Sequence, residues 1–228
     1  MTKIINIVQE TSEEQAFLDA AKKVKALAEQ GNAQAQLRLG MLYASGKGVQ
    51  LNYTQAADWF QKAAEQNLPE AQSYMGWLHA NGYGVEQDDK MAGHYYLKSA
   101  EQGLAKDQYT VGTMYRWGRY GVETDVQKML DWYQCAAQQG YAPAQYALGK
   151  LLSDDDLVPK DEAIAFQWLS LAAVNGSEPA KQALPELMAK MSPEQVAQVQ
   201  LQILQAMGHC HWVKGNHSRL PLRNSLIL

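Results

Sequence analysis

The sequence predicts an all-α chain of stacked helix pairs, a helical solenoid, and three recurrences carry the prediction. Leu39-Gly40 returns as Met75-Gly76, Val111-Gly112 and Leu148-Gly149, at intervals of 36 or 37 residues. The turn Gly46-Lys47-Gly48-Val49 returns as Gly82-Tyr83-Gly84-Val85 and, one residue longer, as Gly118-Arg119-Tyr120-Gly121-Val122. The pair Trp59-Phe60 returns as Tyr95-Tyr96, Trp132-Tyr133 and, half changed, Trp168-Leu169. A fixed period of this size, with each copy reading helix–turn–helix, marks repeats that bury their apolar faces against their neighbours.

In chain order, residues 1–11 read as an arm and residues 12–30 as an N-terminal capping helix. Ser12 offers a hydroxyl to free N–H groups, Glu13 and Glu14 place negative charge at the helix start, and Gly31 ends the helix. Lys23 falls where the first full copy has Trp59, which suits an end whose outer face meets water. Four repeats follow, at 31–66, 67–102, 103–139 and 140–175. The first helix of the first copy (33–44) sets Ala35, Leu39, Leu42 and Tyr43 along one stripe. The second (54–66) presents Ala56, Ala57, Trp59, Phe60, Ala63 and Ala64. Trp59 and its counterparts are expected to fill the wedge between copies, where full burial of such a side chain stabilises by about 1.5–3 kcal/mol. A glycine inside a helix costs about 1 kcal/mol relative to alanine, so its recurrence predicts close approach of the partner helix.

The fourth copy replaces the glycine turn by Ser153-Asp154-Asp155-Asp156-Leu157-Val158-Pro159. A partial repeat and C-terminal capping helix occupy 176–207. A first helix starts at Ser177 and is kinked or restarted at Pro185, and a last helix opens at Ser192-Pro193-Glu194-Gln195. Val196, Val199, Ile203 and Met207 of that helix face the stack. Residues 208–228 contain no acid and read as a flexible tail.

The run A-x-A-Q-x-x-L-G-x-x-Y-x-x-G-x-G-V is carried by Ala33, Ala35, Gln36, Leu39, Gly40, Tyr43, Gly46, Gly48 and Val49, followed by Trp59, Phe60, Ala63 and Ala64. It resembles the Sel-one-like repeat (SLR) family, a branch of the tetratricopeptide-type (TPR-like) helical repeats. The resemblance implies a right-handed α-solenoid that binds other proteins, often as an adaptor or scaffold in bacterial signalling, stress, envelope processes or host interaction. It also implies that the first helices line a concave side where binding occurs. Apart from the core stripe, one further face of those helices carries Gln34, Arg38, Met41 and Ser45, then Glu70, Tyr74, Trp77 and Asn81. The same face continues as Lys106, Thr110, Thr113 and Trp117, then Ala147, Lys150 and Asp154. Core positions stay alike between copies while these vary, as a surface reading different parts of one ligand would. Arg38, Met41, Tyr74, Trp77, Thr113, Trp117 and Lys150 are therefore the candidate protein-binding residues. Their aromatic rings would anchor an extended peptide or a partner's helix, with Arg38 or Lys150 meeting acidic groups. The competing reading makes Trp77 and Trp117 packing residues between first helices.

Composition excludes other classes. With 46% hydrophobic and 19% charged residues and a formal charge of −4, the chain has no basic stripe for nucleic acid. The N-terminus MTKIINIVQETSEEQ lacks the apolar core of a secretory signal, and no segment has the roughly 20 apolar residues that span a bilayer. Two cysteines, Cys135 and Cys210, fit a reducing compartment, so a cytoplasmic protein is expected, a monomer with a dimer as the alternative. His209-Cys210-His211 with His217 has ligand-type side chains but no second paired set, so no metal is expected there. Asp154, Asp155, Asp156 and Asp161 lack the alternation of a calcium loop. Cys135 has no assigned base, and His79 and His94 read as stack or surface residues. No P-loop, nucleophile elbow or zinc-protease motif occurs. The expectation is a binding protein with no catalytic residue and no cofactor. Two alternatives are a regulatory subunit docking through Trp212, Leu220, Leu222 and Leu226-Ile227-Leu228, and, more remotely, a β-lactamase such as the cysteine-rich members of the family, whose paired cysteines are missing here.

Overall fold

The computed structural model describes residues 19–210, with side chains to residue 203, and shows helices and no strand among them. A first helix, α1 (19–29), precedes α2 (Ala33–Ser45), α3 (Tyr53–Glu65), α4 (Pro69–Asn81), α5 (Asp89–Glu101) and α6 (Ala105–Trp117). Then come α7 (Val126–Gln138), α8 (Ala142–Asp154), α9 (Glu162–Val174), α10 (Glu178–Met188) and α11 (Pro193–Cys210). The chain forms two compact units. The first holds α1–α5, the start of α6 and residues 117–124; the second holds residues 108–116 and α7–α11.

The same local devices build each helix pair. In the first unit, Asn52 and Asp88 cap α3 and α5, their side chains accepting from Gln55 N and Met91 N at 3.0 Å. Their own N–H groups donate back to Tyr43 O at 2.9 Å and His79 O at 3.0 Å. In the second unit, Asp125 and Asp161 cap α7 and α9 and donate to Tyr115 O and Leu152 O, both at 3.0 Å. Each connecting loop is thereby fixed at its end, and losing such a cap costs about 0.5–2 kcal/mol.

The helix-interior glycines are notches. A Cβ on Gly40 would lie 2.6 Å from the Phe60 ring, and one on Gly76 would lie 2.9 Å from Tyr96. In the second unit the distances are 2.4 Å from Gly112 to Tyr133 and 2.6 Å from Gly149 to Leu169. The side chain in the notch is the second of each pair; of the first members, expected to fill the wedge between copies, Tyr95 and Trp168 are buried while Trp59 is not. Phe60 is wholly buried, whereas Trp59 is half-buried with Lys62 Nζ 4.1 Å from its ring centroid.

A glutamine relay ties each first helix to its neighbours. Gln36 Nε2 donates to Ala28 O at 3.2 Å and Gln36 Oε1 accepts from Gln66 Nε2 at 2.8 Å. Gln72 repeats this with Ala64 O and Gln102 Nε2. In the second unit Gln145 joins Ala137 O to Asn175 Nδ2, at 3.0 and 2.9 Å. Gln36, Gln72 and Gln145 are buried, and the relay satisfies both ends of each amide.

The fourth copy keeps Val158 in the register of Val49, Val85 and Val122, and buries it. Its acidic loop is held by cations: Arg116 reaches Asp155 at 2.5 Å, and Asp154 pairs with Lys150 and with Lys190 at 2.8 Å. Those two ammonium groups hold the Asp154 carboxyl down to about 2. Helix α10 runs unbroken through Pro185, so no restart occurs there. Ser192 and Gln195 cap α11 reciprocally, each side chain accepting from the other's N–H. Val199 is buried and Val196 and Ile203 half-buried against the core of the second unit. Helix α11 continues to Cys210, past the expected boundary at 208. The arm 1–11, residues 12–18 of the capping helix, and His211, His217 and the rest of the tail lie outside the described residues, as does the Met207 side chain.

Candidate functional site

Within the first unit, the end of α2 and the middle of α4 leave a cleft of about 470 Å³ between them. Helix α2 contributes Met41, Leu42, Ala44 and Ser45, and the turn after it contributes Lys47. Tyr53 comes from the start of α3, Ser73, Tyr74 and Trp77 from α4, and Lys106 from the first turn of α6. The turn residue between two glycines is used twice: it is Lys47 in the first copy and Tyr83 in the second.

The rings are supported from behind. Tyr74 stacks on Phe60 with centroids 4.6 Å apart and planes 3° from parallel. Phe60 in turn occupies the Gly40 notch, so a backbone glycine on α2 sets the position of a cleft side chain. Tyr83 stacks on Tyr53 at 5.1 Å, and Trp77 packs against Tyr83 at 5.0 Å and Tyr53 at 6.3 Å. Trp77 and Met41 nevertheless remain 36% and 42% exposed.

The two serine hydroxyls of the cleft are committed inward. Ser45 Oγ donates to Met41 O at 2.8 Å, and Ser73 Oγ donates to Asp107 Oδ1 at 3.0 Å. Asp107 is fully buried and its Oδ2 has no hydrogen-bond partner. Burial raises its carboxyl above the usual range, against the pull of the Ser99 and Ser73 hydroxyls and the Lys106 ammonium. The other copies carry Ala35, Ala71 and Ala144 at this position. Ser73 replaces Leu37, Tyr109 or Tyr146, and Ser99 replaces Ala63, Ala136 or Ala172.

Of the seven candidate residues, the cleft gathers Met41, Tyr74 and Trp77. Arg38 is exposed on α2 outside the lining, and Trp117 is 59% exposed at the end of α6. In the second unit Thr113 is used internally, donating to Tyr109 O at 3.0 Å and lying 3.2 Å from Tyr133 Oη. Lys150 there pairs with Asp154. Tyr53, Lys47 and Tyr83 were not among the candidates. No first-helix pattern points to them, since they sit in a turn or at the start of a second helix.

Chemistry outside the cleft is sparse. Partial burial and Asp131 push the Cys135 thiol up, away from reactivity. His79 stacks on Tyr95 at 5.8 Å and His94 meets the same ring edge-on. Among the described residues no three His, Cys, Asp or Glu side chains converge as metal ligands would. No described helix is long and apolar enough to cross a membrane.

The Sel1 repeat family model matches residues 33–68, 69–104, 105–141 and 142–177. The chain belongs to the Sel1-repeat family. Sel1-repeat proteins generally mediate protein–protein interaction, and their fold is typically a non-catalytic scaffold. A Sel1 repeat protein from Oxalobacter formigenes is 33% identical with a TM-score of 0.70, the match covering 83% of this chain and 79% of that one. The protective antigen c5321 of uropathogenic Escherichia coli, which displays an SLR fold, is 37% identical with a TM-score of 0.67 over 70% of this chain and 34% of its own. No curated protein matches the chain.

Proposed function

We propose that this Sel1-repeat protein is an adaptor that holds a partner protein through the Trp77 cleft of its first unit, by equilibrium binding and without chemistry. One observation carries the reading. Trp77 and Met41 stay open to solvent while the rings around them are fixed by stacking and by the Gly40 notch. Large apolar side chains on a rigid concave surface are what binding hot spots are made of. Rigidity adds to this, because side chains already ordered lose little entropy on binding. Two cysteines in the whole chain support a reducing, cytoplasmic setting as part of the same reading.

The test compares wild type with the double variant Trp77→Ala/Met41→Ala. A partner captured from native lysate is identified and its affinity measured for both. Loss of a Trp hot spot costs about 2 kcal/mol or more, so the variant should bind about 30-fold more weakly with its helical circular dichroism intact. Wild-type affinity in a folded double variant refutes the cleft. A chain ending at residue 210 keeps its affinity on this reading and loses it if the partner docks on the tail.

A further inference from the structure

We infer that the occupant of the Trp77 cleft is a proline-rich segment of the partner, bound as an extended polyproline helix. This rests on the cleft reading above and adds the chemistry of the ligand.

The polar side chains of the lining are unbalanced in kind. The Lys47 ammonium and the Trp77 indole N–H can only donate, and the Tyr53 and Tyr74 hydroxyls can donate as well as accept. Among the described residues none of these four groups has a hydrogen-bond partner. Lys106 also lines the cleft and already interacts within the protein. No Asp, Glu, Asn or Gln contributes to the lining, so it holds no side chain that only accepts. The end of α2 adds little. The carbonyls of Met41, Leu42 and Tyr43 already accept from Ser45 Oγ, Gly46 N and Asn52 N, at 2.8, 2.8 and 2.9 Å.

A ligand that matches such a lining presents carbonyl oxygens and few N–H groups of its own. Proline keeps the backbone carbonyl and lacks the N–H. An extended segment of other residues brings an N–H with every carbonyl, and a donor left unpaired in a covered cleft weakens binding. A helix has its backbone carbonyls already paired and would cover the tyrosine and indole donors without offering them one. The apolar surface agrees with proline. Trp77 and Met41 are 36% and 42% exposed, and Tyr53 lies 6.3 Å from Trp77 with the two planes 52° apart. Grooves lined by aromatic rings are the general setting for polyproline recognition, because that helix is formed before it binds. The rings here are also fixed beforehand, Tyr74 by Phe60 and Trp77 by Tyr83, so neither side loses much freedom. A space of about 470 Å³ suits a few residues of such a segment, not a globular face.

The test titrates two fluorescein-labelled peptides against the full chain by fluorescence polarisation. One is a neutral peptide of repeated Pro-Pro-Leu units, and the other has every Pro replaced by Ala. The Pro peptide is expected to bind about tenfold more tightly. Tyr53→Phe/Tyr74→Phe keeps both rings and removes both hydroxyls, and should weaken the Pro peptide about tenfold with the helical circular dichroism unchanged. Equal binding of the two peptides, no binding of the Pro peptide, or full affinity in the double variant overturns the proline assignment. Tighter Pro-peptide binding by Pro221→Ala also overturns it, because Leu220-Pro221-Leu222 of the same chain would then be the occupant. Trp77→Ala separates the two levels. If both peptides bind wild type alike and both lose their affinity in Trp77→Ala, the cleft stands and only the proline preference falls. If the Pro peptide binds equally well without Trp77, the cleft reading falls too.

Discussion

Gly84→Ala is expected to be far more damaging than Gly31→Ala, although both glycines have left-handed backbones, with φ of +70° and +90°. A left-handed residue with a Cβ costs about 1–2 kcal/mol wherever it occurs. At Gly31 nothing lies within 4 Å of the added atom, so that conformational cost should be the whole effect. At Gly84 the Cβ would sit 2.2 Å from Tyr53 C, 2.3 Å from Tyr53 O and 2.5 Å from Thr54 N, all of them backbone. No rotamer relieves that overlap, and the turn 82–84 has to lift from the start of α3. Lifting it separates Tyr83 from both Tyr53 and Trp77, and aromatic pairs of this kind are worth about 0.5–1.5 kcal/mol each. Gly84→Ala should therefore destabilise by about 2–5 kcal/mol in total, roughly 1–3 kcal/mol more than Gly31→Ala. Urea titration followed by circular dichroism, run on both variants beside wild type, reads the difference. The affinity of the captured partner should be lower for Gly84→Ala at a urea-free, fully folded condition, although residue 84 does not line the cleft. Equal destabilisation by the two substitutions would mean that the turn is not seated on α3, and that the ring cluster is not held in place by it.

Asp107→Asn should change how stability depends on pH. Burial raises the folded pKa of Asp107 above its unfolded value, so as pH rises from the unfolded towards the folded value the unfolded chain ionises first and stability falls. The penalty is absent below the unfolded value and complete above the folded one. The gap in urea midpoint between the Asp107→Asn variant and wild type should therefore widen with rising pH across that window, and a constant gap would show that Asp107 does not titrate as described. Gln145→Ala removes the donor to Ala137 O and the acceptor for Asn175 in a buried setting, and should cost about 1–3 kcal/mol in the same titration. A loss of only a few tenths would mean that water replaces the amide without penalty.

What the sequence disclosed follows from what was repeated. The glycine notch was legible because one steric requirement recurs in every copy, at Gly40, Gly76, Gly112 and Gly149. Its occupant was not legible, because both members of the aromatic pair recur, and only the turn of about 100° per residue along the helix decides that Phe60 enters the notch. The caps Asn52, Asp88, Asp125 and Asp161 recur just as strictly but look like ordinary surface acids and amides until their hydrogen bonds are known. The first-helix face grouped Met41, Ser45, Tyr74, Trp77 and Lys106, all of which line the cleft, because helical periodicity fixes which side chains share a side. It also swept in Thr113 and Lys150, whose hydroxyl and ammonium are engaged within the second unit, and periodicity carries no information about such partners. It missed Lys47 and Tyr53 of the lining and the Tyr83 ring packed behind them, which sit in turns or at the start of α3.

The informative positions are those where a copy departs from its siblings. Asp107 replaces an alanine, and the two side chains that supply hydroxyls beside it, Ser73 and Ser99, replace apolar residues in the same step. A buried carboxylate set among alanines would be costly, so the three changes form one physical unit rather than three accidents. Lys47 and Tyr83 likewise give one turn position two different chemistries. Where stacking alone dictates the residue, the copies agree, and where they stop agreeing something other than stacking is being served. In the first unit those disagreements meet at one cleft, with the buried Ser73–Asp107 pair behind it and the Lys47 and Trp77 side chains in its lining.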